Sequence, residues 1–298
     1  MTDFLQFVFA GMALGARYAL VALGFVVIFR ATGVINFAQG GLVALGAYVT
    51  YDFTQNVGMP FVLAVVLAVL VCGAVGALVE RVVLARMVGQ PAFAVIMITI
   101  GVLFVLEQLI PTLWDYDSHN LGDPWGIDTV DVSGLTLAVR DLWTLVIAAA
   151  ALAGFFVFFR RSKYGLAMRA VAIDQEVSMA QGINVRTVVA LSWAISGMVA
   201  ALAGVTLTTG AAGVSPSISF IALAAFPAMI LGGLDSPGGA VIGGLLIGVT
   251  QTLTAGYQPE HASWLGDNFH TVMPYVVMIA ILMVRPYGLF GTREVDRA

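Results

Sequence analysis

The sequence has few of the residues that soluble proteins place at their surfaces. Only 10% of its 298 residues are charged, against about a quarter in an average soluble domain, and Lys163 is its one lysine. Hydrophobic residues make up 60% of the chain, and the mean hydropathy is +0.98. So little polar surface cannot cover so large an apolar fraction in water. The composition therefore predicts an all-α, polytopic membrane helix bundle, a single domain over residues 1–298 without a soluble appendage.

Cysteine, histidine and lysine are also too scarce for the usual enzyme sites. Cys72 has no second thiol to pair with, which excludes an intrachain disulfide. His119, His261 and His270 fall in or beside predicted outer loops and do not stand at metal-ligand spacing. Lys163 lacks the glycine pattern that precedes the lysine of a phosphate-binding loop. We therefore expect no enzyme, and no metal or cofactor bound by this chain, so that any ATP would be hydrolysed by another chain.

Apolar runs that could cross a membrane recur from end to end. A hydrocarbon core of about 30 Å needs roughly 20 apolar residues in a helix. Three uncharged runs and two runs with one charge each satisfy this requirement: 61–79, 142–159, 188–208, 7–29 and 92–110. Four runs are short, glycine-rich or interrupted by proline, and they predict short or broken helices: 37–51, 220–231, 240–253 and 269–284. Together the runs predict nine crossings, or about 8–10 if short runs merge or split.

Glycines spaced four apart predict where helices approach one another closely. In a membrane, small residues at this spacing let two backbones come into direct contact. We interpret these pairs as packing faces and not as chemistry. They are Gly11 with Gly15, Gly239 with Gly243, and Gly244 with Gly248.

The basic residues predict the side of the membrane that each loop faces. With the N-terminus outside and every run crossing, the C-terminus is cytoplasmic, and eleven of the thirteen basic residues fall on the cytoplasmic side, as the positive-inside rule requires. They are Arg30, Arg81, Arg86, Arg160, Arg161, Lys163, Arg169, Arg186, Arg285, Arg293 and Arg297. The acidic loop 111–141 is then external, and its pattern Val-Asp-Val-Ser-Gly-Leu-Thr-Leu predicts a small hairpin.

Two groups of polar residues are candidates for a solute pathway. Asn36 and Gln39, followed by Gly40, stand where the chain re-enters the bilayer from the predicted cytoplasmic side. Their amides either hydrogen-bond the broken backbone or offer donors and acceptors to a passing zwitterionic solute. The second group lies on the fourth run and consists of Thr99, Glu107 and Gln108.

The role of Glu107 has two interpretations. It lies two helical turns from Thr99, so both side chains share roughly one helix face. Glu107 either forms a buried ion pair with Arg17 that locks the bundle, or lines a pathway and meets a substrate amine.

The longest predicted cytoplasmic segment, residues 160–187, is too polar to cross the membrane. Ala167, Ala170 and Val171 share one helical face, and Gly182 suits a helix end, so the pattern predicts short amphipathic helices. Such helices either rest at the membrane interface or dock onto another protein.

Six stretches occur in a fixed order: GARYALVALGF, INFAQGGLVALGAYV, YGLAMRAVAIDQEVSMAQGINV, ALAGV, ILGGLDSPGGAVIGGLLIG and RPYGLFG. This ordered set resembles the permease subunits of branched-chain amino acid ABC importers, the LivH type of the hydrophobic amino acid uptake family. The resemblance spans nearly the whole chain, which makes it far more specific than one motif.

The resemblance implies an inner-membrane permease subunit that imports branched-chain or related hydrophobic amino acids by alternating access. The implied partners are a second homologous permease subunit, two cytoplasmic ATPase subunits that use ATP and Mg, an extracytoplasmic solute-binding protein and the lipid bilayer, with no nucleic acid. The middle stretch is expected to couple closure of the ATPases to the membrane helices. The residues that carry this expectation are Gly165, Arg169, Ala170, Asp174, Ala180, Gly182 and Ile183.

Other functions stay open on the sequence alone. Within the transport class, urea, short amides and aromatic or other carboxylates are alternative solutes. Two alternatives come from other classes. One is an ion-coupled secondary transporter, for which Glu107 is the one deep carboxylate that could bind a proton or an ion, and the other is a subunit that anchors a complex in the membrane.

Overall fold

The computed structural model describes residues 2–87, 90–132, 134–266 and 268–291. Arg293 and Arg297, two of the residues predicted to be cytoplasmic, lie outside this range. The described chain is helical apart from loops and one two-stranded hairpin. The helices are α1 (Thr2–Thr32), α2 (Gln39–Tyr51), α3 (Phe61–Val82), α4 (Ala92–Trp114), α5 (Val139–Arg161), α6 (Lys163–Ile173), α7 (Gln175–Ala180), α8 (Val185–Thr208), α9 (Ile218–Leu223), α10 (Phe226–Gly232), α11 (Pro237–His261) and α12 (Phe269–Val284).

Six helices of the described chain are long and apolar enough to cross a membrane. They are α1, α3 with the turn that follows it, α4, α5, α8 and α11. Three shorter elements complete the bundle: α2, the broken pair α9 and α10, and the 16-residue α12. The predicted all-α bundle of about 8–10 transmembrane helices, some of them short or broken, is confirmed.

Helix α2 is the centre of the bundle. Every residue from Gln39 to Thr50 is buried, and the helix packs against α8, α3, α9 and α4. Its small residues let the neighbouring backbones approach: Gly46 lies against Ala201 of α8, and Gly204 of α8 lies against Val43. Because side chains bury no additional apolar surface by leaving lipid for protein, such close backbone contact is a main source of helix association in membranes.

The glycine pairs predicted to be packing faces do form helix contacts. Gly11 and Gly15 of α1 lie against α11 at Val249 and Gly244, so these two helices run antiparallel in backbone contact. Gly239 and Gly243, also on α11, pack instead against α10. One helix therefore uses two glycine faces to hold the first and the tenth helices of the chain.

The structure corrects the proposed pairing of Arg17. Its guanidinium Nη2 donates to Asp141 Oδ1 at 2.7 Å, in the first turn of α5, and not to Glu107. Glu107 instead accepts a hydrogen bond of 2.8 Å from the Ser219 hydroxyl on α9. The ion pair therefore ties α1 to α5 at one end of the bundle, while Glu107 joins α4 to α9.

The predicted hairpin is present in the acidic loop. Strands β1 (Thr129–Val132) and β2 (Leu135–Ala138) pair antiparallel, with Thr129 opposite Ala138 and Val132 opposite Leu135. The loop before it is tied to the bundle, since Thr54 Oγ1 donates to the Leu121 carbonyl at 2.7 Å. The loop is therefore a structured cap over this end of the helices.

Replacing Gly244 by valine should destabilise the protein. A side chain at this position would meet the backbone of Ala19 and Gly15 at 2.7–2.8 Å, and such overpacking costs about 1–3 kcal/mol. The matched control is Gly154→Val on α5, where nothing lies within 4 Å of the added carbon. We expect a lower melting temperature in detergent for Gly244→Val only. Equal melting temperatures for the two variants would contradict the α1–α11 backbone contact.

Candidate functional site

The basic residues collect at one end of the bundle. There the end of α1 meets α5 and α7: the Arg30 guanidinium lies 5.3 Å from the ring centroid of Phe159, and Gln175 Nε2 donates to the Ala31 carbonyl at 3.1 Å. Nine of the eleven basic residues in the described ranges belong to the helix ends and loops on this side, which we call the basic face. They are Arg30, Arg81, Arg86, Arg160, Arg161, Lys163, Arg169, Arg186 and Arg285.

Three side-chain caps divide the segment on the basic face into short helices. The Ser162 hydroxyl accepts from the Gly165 amide at 2.9 Å and begins α6. The Asp174 carboxylate accepts from the Val177 amide at 2.9 Å and begins α7, and Asn184 caps α8 in the same way. Each cap satisfies a backbone donor that a helix start leaves free. The segment is thus a fixed series of helices and not a loose loop.

Helix α6 is folded back against the end of α5. Gly165 packs on the backbone of Phe159, where a side chain would meet the Phe159 Cα at 2.7 Å. The Arg169 guanidinium donates to the Phe159 carbonyl and lies over the Phe159 ring, 5.3 Å from its centroid. Met168 and Val171, which also belong to α6, are buried. Helix α6 is therefore attached directly to the end of α5, a helix long and apolar enough to cross a membrane.

The remaining predicted coupling residues shape the segment in other ways. Ala170 is half-buried on α6, and Ala180 is the last residue of α7. Gly182 has a φ of +81°, which glycine adopts without strain, and it turns the chain so that the Ile183 amide donates to the Ser178 carbonyl at 3.0 Å. Four apolar side chains of the segment are exposed, and no sequence pattern singled them out: Leu166, Ile173, Val177 and Met179.

The two amides at the start of α2 have different surroundings. Gln39 is fully buried between α1 and α8, and its Oε1 accepts from the Ser196 hydroxyl at 2.6 Å. Asn36 is fully buried as well, and its Oδ1 accepts from the Ala38 amide at 3.0 Å, but its side chain borders a cavity. Gln39 therefore serves helix packing, and Asn36 is the amide that a solute could reach.

The other predicted pathway residues fall into three places. Thr99 accepts from the Phe37 amide at 3.2 Å and borders the same cavity as Asn36. Gly40 packs against the Ser219 carbonyl, next to the hydrogen bond between Ser219 and Glu107. Gln108 is exposed on α4, 3.4 Å from the Tyr116 hydroxyl, and belongs to neither group.

The cavity opens on the basic face and has a volume of about 430 Å³. It lies between the ends of α1 and α3, the beginnings of α4 and α8, and α7. Its polar lining includes the predicted pathway residues Asn36 and Thr99. It also includes Glu80 and Arg186, which no sequence pattern singled out as site residues. Glu80 stands next to Arg81 at the end of an apolar run, where the sequence alone does not distinguish a cavity residue from a residue at the membrane interface.

Residues 7–282 match the family described as "Branched-chain amino acid transport system / permease component". The chain belongs to this permease family. The permease is 29% identical over 309 residues to the high-affinity branched-chain amino acid transport system permease protein LivH of Escherichia coli K12, covering 99% of this chain and 97% of LivH. It is 28% identical to the permease protein BraD of Pseudomonas aeruginosa, covering 99% of this chain and 98% of BraD.

A third relative has a different named solute. The galactofuranose transporter permease protein YtfT of Escherichia coli K12 is 27% identical over 281 residues, covering 91% of this chain and 76% of YtfT. Family membership confirms the resemblance drawn from the ordered stretches. The permease is accordingly a multi-pass membrane protein and a transport component.

The packing role of Gln39 in this permease predicts a loss of stability on substitution. Gln39→Ala removes the hydrogen bond with Ser196 and leaves a void between α1, α2 and α8, at a cost of about 1–3 kcal/mol. Gln108→Ala, which removes an exposed amide on α4, should change stability by less than about 0.5 kcal/mol. Thermal unfolding in detergent compares the two. If the two variants have the same melting temperature and Gln39→Ala only slows uptake, Gln39 contacts the solute and does not serve helix packing.

Proposed function

We propose that this permease is the membrane-spanning subunit of an ATP-driven importer of branched-chain or related hydrophobic amino acids. The observation that carries the proposal is the family match over residues 7–282, together with relatives that are named for branched-chain amino acid transport and are aligned along 97–98% of their length. Because the fold by itself does not determine a solute, the amino acid class rests on these relatives.

The source of energy is proposed to be a pair of cytoplasmic ATPase subunits that use ATP and Mg. Helices α6 and α7 support this: both are capped and present an apolar outer surface on the basic face, and α6 packs on Phe159 while Gln175 joins α7 to α1. A rigid projection of this kind can pass a rigid-body movement of a partner to α5 and α1. Gly165, Arg169 and Asp174 build the projection, and Leu166 and Ile173 are the side chains offered to the partner.

A second, homologous permease subunit and an extracytoplasmic solute-binding protein complete the proposed complex. Alternating access then moves the solute along a path between the two permeases, with selectivity set largely by the binding protein. We expect Glu107 and Gly40, which meet at Ser219 between α4, α9 and α2, to lie along such a path. This placement is an expectation from the family mechanism.

The proposed orientation has the basic face in the cytoplasm, with the N-terminus and the hairpin outside. The positive-inside rule supports it, since Arg17 and Arg140 are the two described basic residues that belong to the opposite half. Exposed Gln181 follows α7, so a cysteine at this position should resist an impermeant thiol reagent in sealed cells. Labelling from outside would overturn the orientation.

A sugar is the second candidate solute, because YtfT shares the family and is named for galactofuranose. Urea, short amides and carboxylates remain further candidates within the same transport class. Competition for uptake separates them: unlabelled leucine, isoleucine and valine should block uptake of labelled leucine, whereas a furanose sugar should not.

The complex itself tests the proposed function. Purified in mild detergent from its native membrane, the permease should bring with it two ATPase chains and a homologous permease. Reconstituted with its binding protein, the complex should take up labelled leucine only when ATP is present on the basic-face side. Leucine uptake by the permease alone would show an ion-coupled or passive carrier and would sink the proposal.

Arg169→Ala should uncouple the importer. The substitution removes the hydrogen bond to Phe159 and the ring contact, so α6 no longer moves as one body with α5. We expect leucine-stimulated ATP hydrolysis to fall by about fivefold or more while the complex still assembles. The control is Arg161→Ala, which removes an exposed basic residue from the same face. Equal stimulation in both variants would refute the role of α6.

A further inference from the structure

The cavity on the basic face is separate from the proposed path at Glu107. Its walls are helix ends of this chain, and Glu107 is not among the lining residues. A volume of about 430 Å³ falls within the range of roughly 300–1,000 Å³ that is usual for small-molecule sites. Most of the lining is apolar, and the few polar groups converge from α3, α8 and the turn before α2.

Glu80 gives the cavity a buried negative charge. Its side chain is 4% exposed, and within the ranges that the structure describes its carboxylate forms no hydrogen bond and no ion pair. Arg81 and Arg186 are its electrostatic neighbours, and Arg186 is exposed at the rim. Because Glu80 lines the cavity and its carboxyl group has no partner among the described residues, that group is available to a cation that enters the cavity.

Asn36 supplies a donor on another wall of the same cavity. Its Oδ1 is held by the Ala38 amide, which fixes the orientation of the carboxamide. Its Nδ2 is buried and has no hydrogen-bonding partner in the described chain. A free donor of this kind, together with the Arg186 guanidinium, suits a carboxylate.

The space between these groups is lined by apolar side chains. Ile28, Val95 and Trp193 border the cavity, and Trp193 packs with Ile28 in a small apolar cluster. A ligand that fits has an ammonium group, a carboxylate and an aliphatic side chain. Those three features together describe a free amino acid.

We propose that this cavity is a cytoplasm-facing site for an aliphatic amino acid, with its ammonium at Glu80 and its carboxylate at Asn36 and Arg186. The charges and the apolar wall select a zwitterion, and the choice of an aliphatic one rests on the proposed function. The site is filled from the product side of the membrane.

Occupancy of this site opposes further import. Gln175 and Met179 of α7 form part of the cavity wall, and Gln175 is hydrogen-bonded to the end of α1. A ligand that contacts both α7 and the membrane helices favours the arrangement in which they are joined. By linkage, it then resists the movement of α7 that the ATPases must drive. High internal amino acid therefore slows the importer.

Protection of a cysteine in the cavity tests the site. Cys72→Ser removes the single native thiol, and Ala92→Cys adds one at an exposed position in the cavity lining. The full complex is labelled with N-ethylmaleimide in inverted membrane vesicles, with increasing L-leucine. We expect leucine to slow the labelling, whereas 4-methylpentanoate, which lacks the ammonium group, and 3-methylbutylamine, which lacks the carboxylate, should protect poorly.

Glu80→Gln should raise the leucine concentration needed for protection by about tenfold or more, because the charge that holds the ammonium is gone. Arg186→Ala, at the exposed rim, should weaken protection as well and provides the test if Glu80→Gln does not fold. The control is Glu260→Gln, which removes an exposed acid on α11 that does not line the cavity. It should leave the leucine concentration needed for protection unchanged.

Three results would overturn the site: no protection by leucine, equal protection by 4-methylpentanoate, or unchanged protection in both Glu80→Gln and Arg186→Ala. The proposed function stands or falls separately. If the reconstituted complex imports leucine but leucine gives no protection in the inverted vesicles, the cavity alone is refuted, whereas protection in a complex that imports no amino acid refutes the importer alone.

Discussion

The burial of α2 in the centre of the bundle is the constraint on which the rest of the structure depends. Its thirteen α-helical residues span about 20 Å and continue into the π-helical turn Asp52–Asn56, and the whole helix is still shorter than a hydrocarbon core of about 30 Å. Backbone groups at the ends of so short a helix lie at membrane depth, where protein and not water must satisfy them. The longer helices must therefore surround it, and glycine and alanine at the contacts allow them to do so without gaps.

The polar residues near the start of α2 follow from this position. The backbone amides just before the helix have no partner within it, so side chains accept their hydrogen bonds. Thr99 accepts from the Phe37 amide, and Asn36 accepts from the Ala38 amide. Gln39 is held by Ser196 on α8. Among the described residues the Asn36 Nδ2 and the Gln39 Nε2 have no hydrogen-bonding partner, and of these two residues Asn36 borders the cavity.

Local patterns in the sequence contained much of the fold. Apolar runs located the long helices, spaced glycines located packing faces on α1 and α11, and alternation in the acidic loop located the hairpin, because each of these features depends on neighbours within a few residues. Pairings across the chain were not accessible in this way. Asp141 lies 124 residues from Arg17, and no local pattern distinguishes it from Glu107 as the partner.

The candidate site shows the same limit more sharply. Asn36 and Gln39 are equivalent in the sequence, three residues apart and both amides, yet α8 covers one of them and a cavity borders the other. No sequence pattern indicated that Glu80 lines a cavity, because the residues around it come from α1, α4, α7 and α8. Cavity residues depend on what several distant elements leave uncovered, which a linear pattern does not encode.

The segment 160–187 and the cavity share helix α7. The caps at Ser162 and Asp174 make α6 and α7 stiff, and the contacts of Arg169 and Gln175 attach them to α5 and α1. Because α7 is also a wall of the cavity, a movement of the segment that opens a path elsewhere must change the shape of the cavity. The α7 residues that line the cavity and the residues that join the segment to α1 and α5 therefore belong to one connected set of contacts.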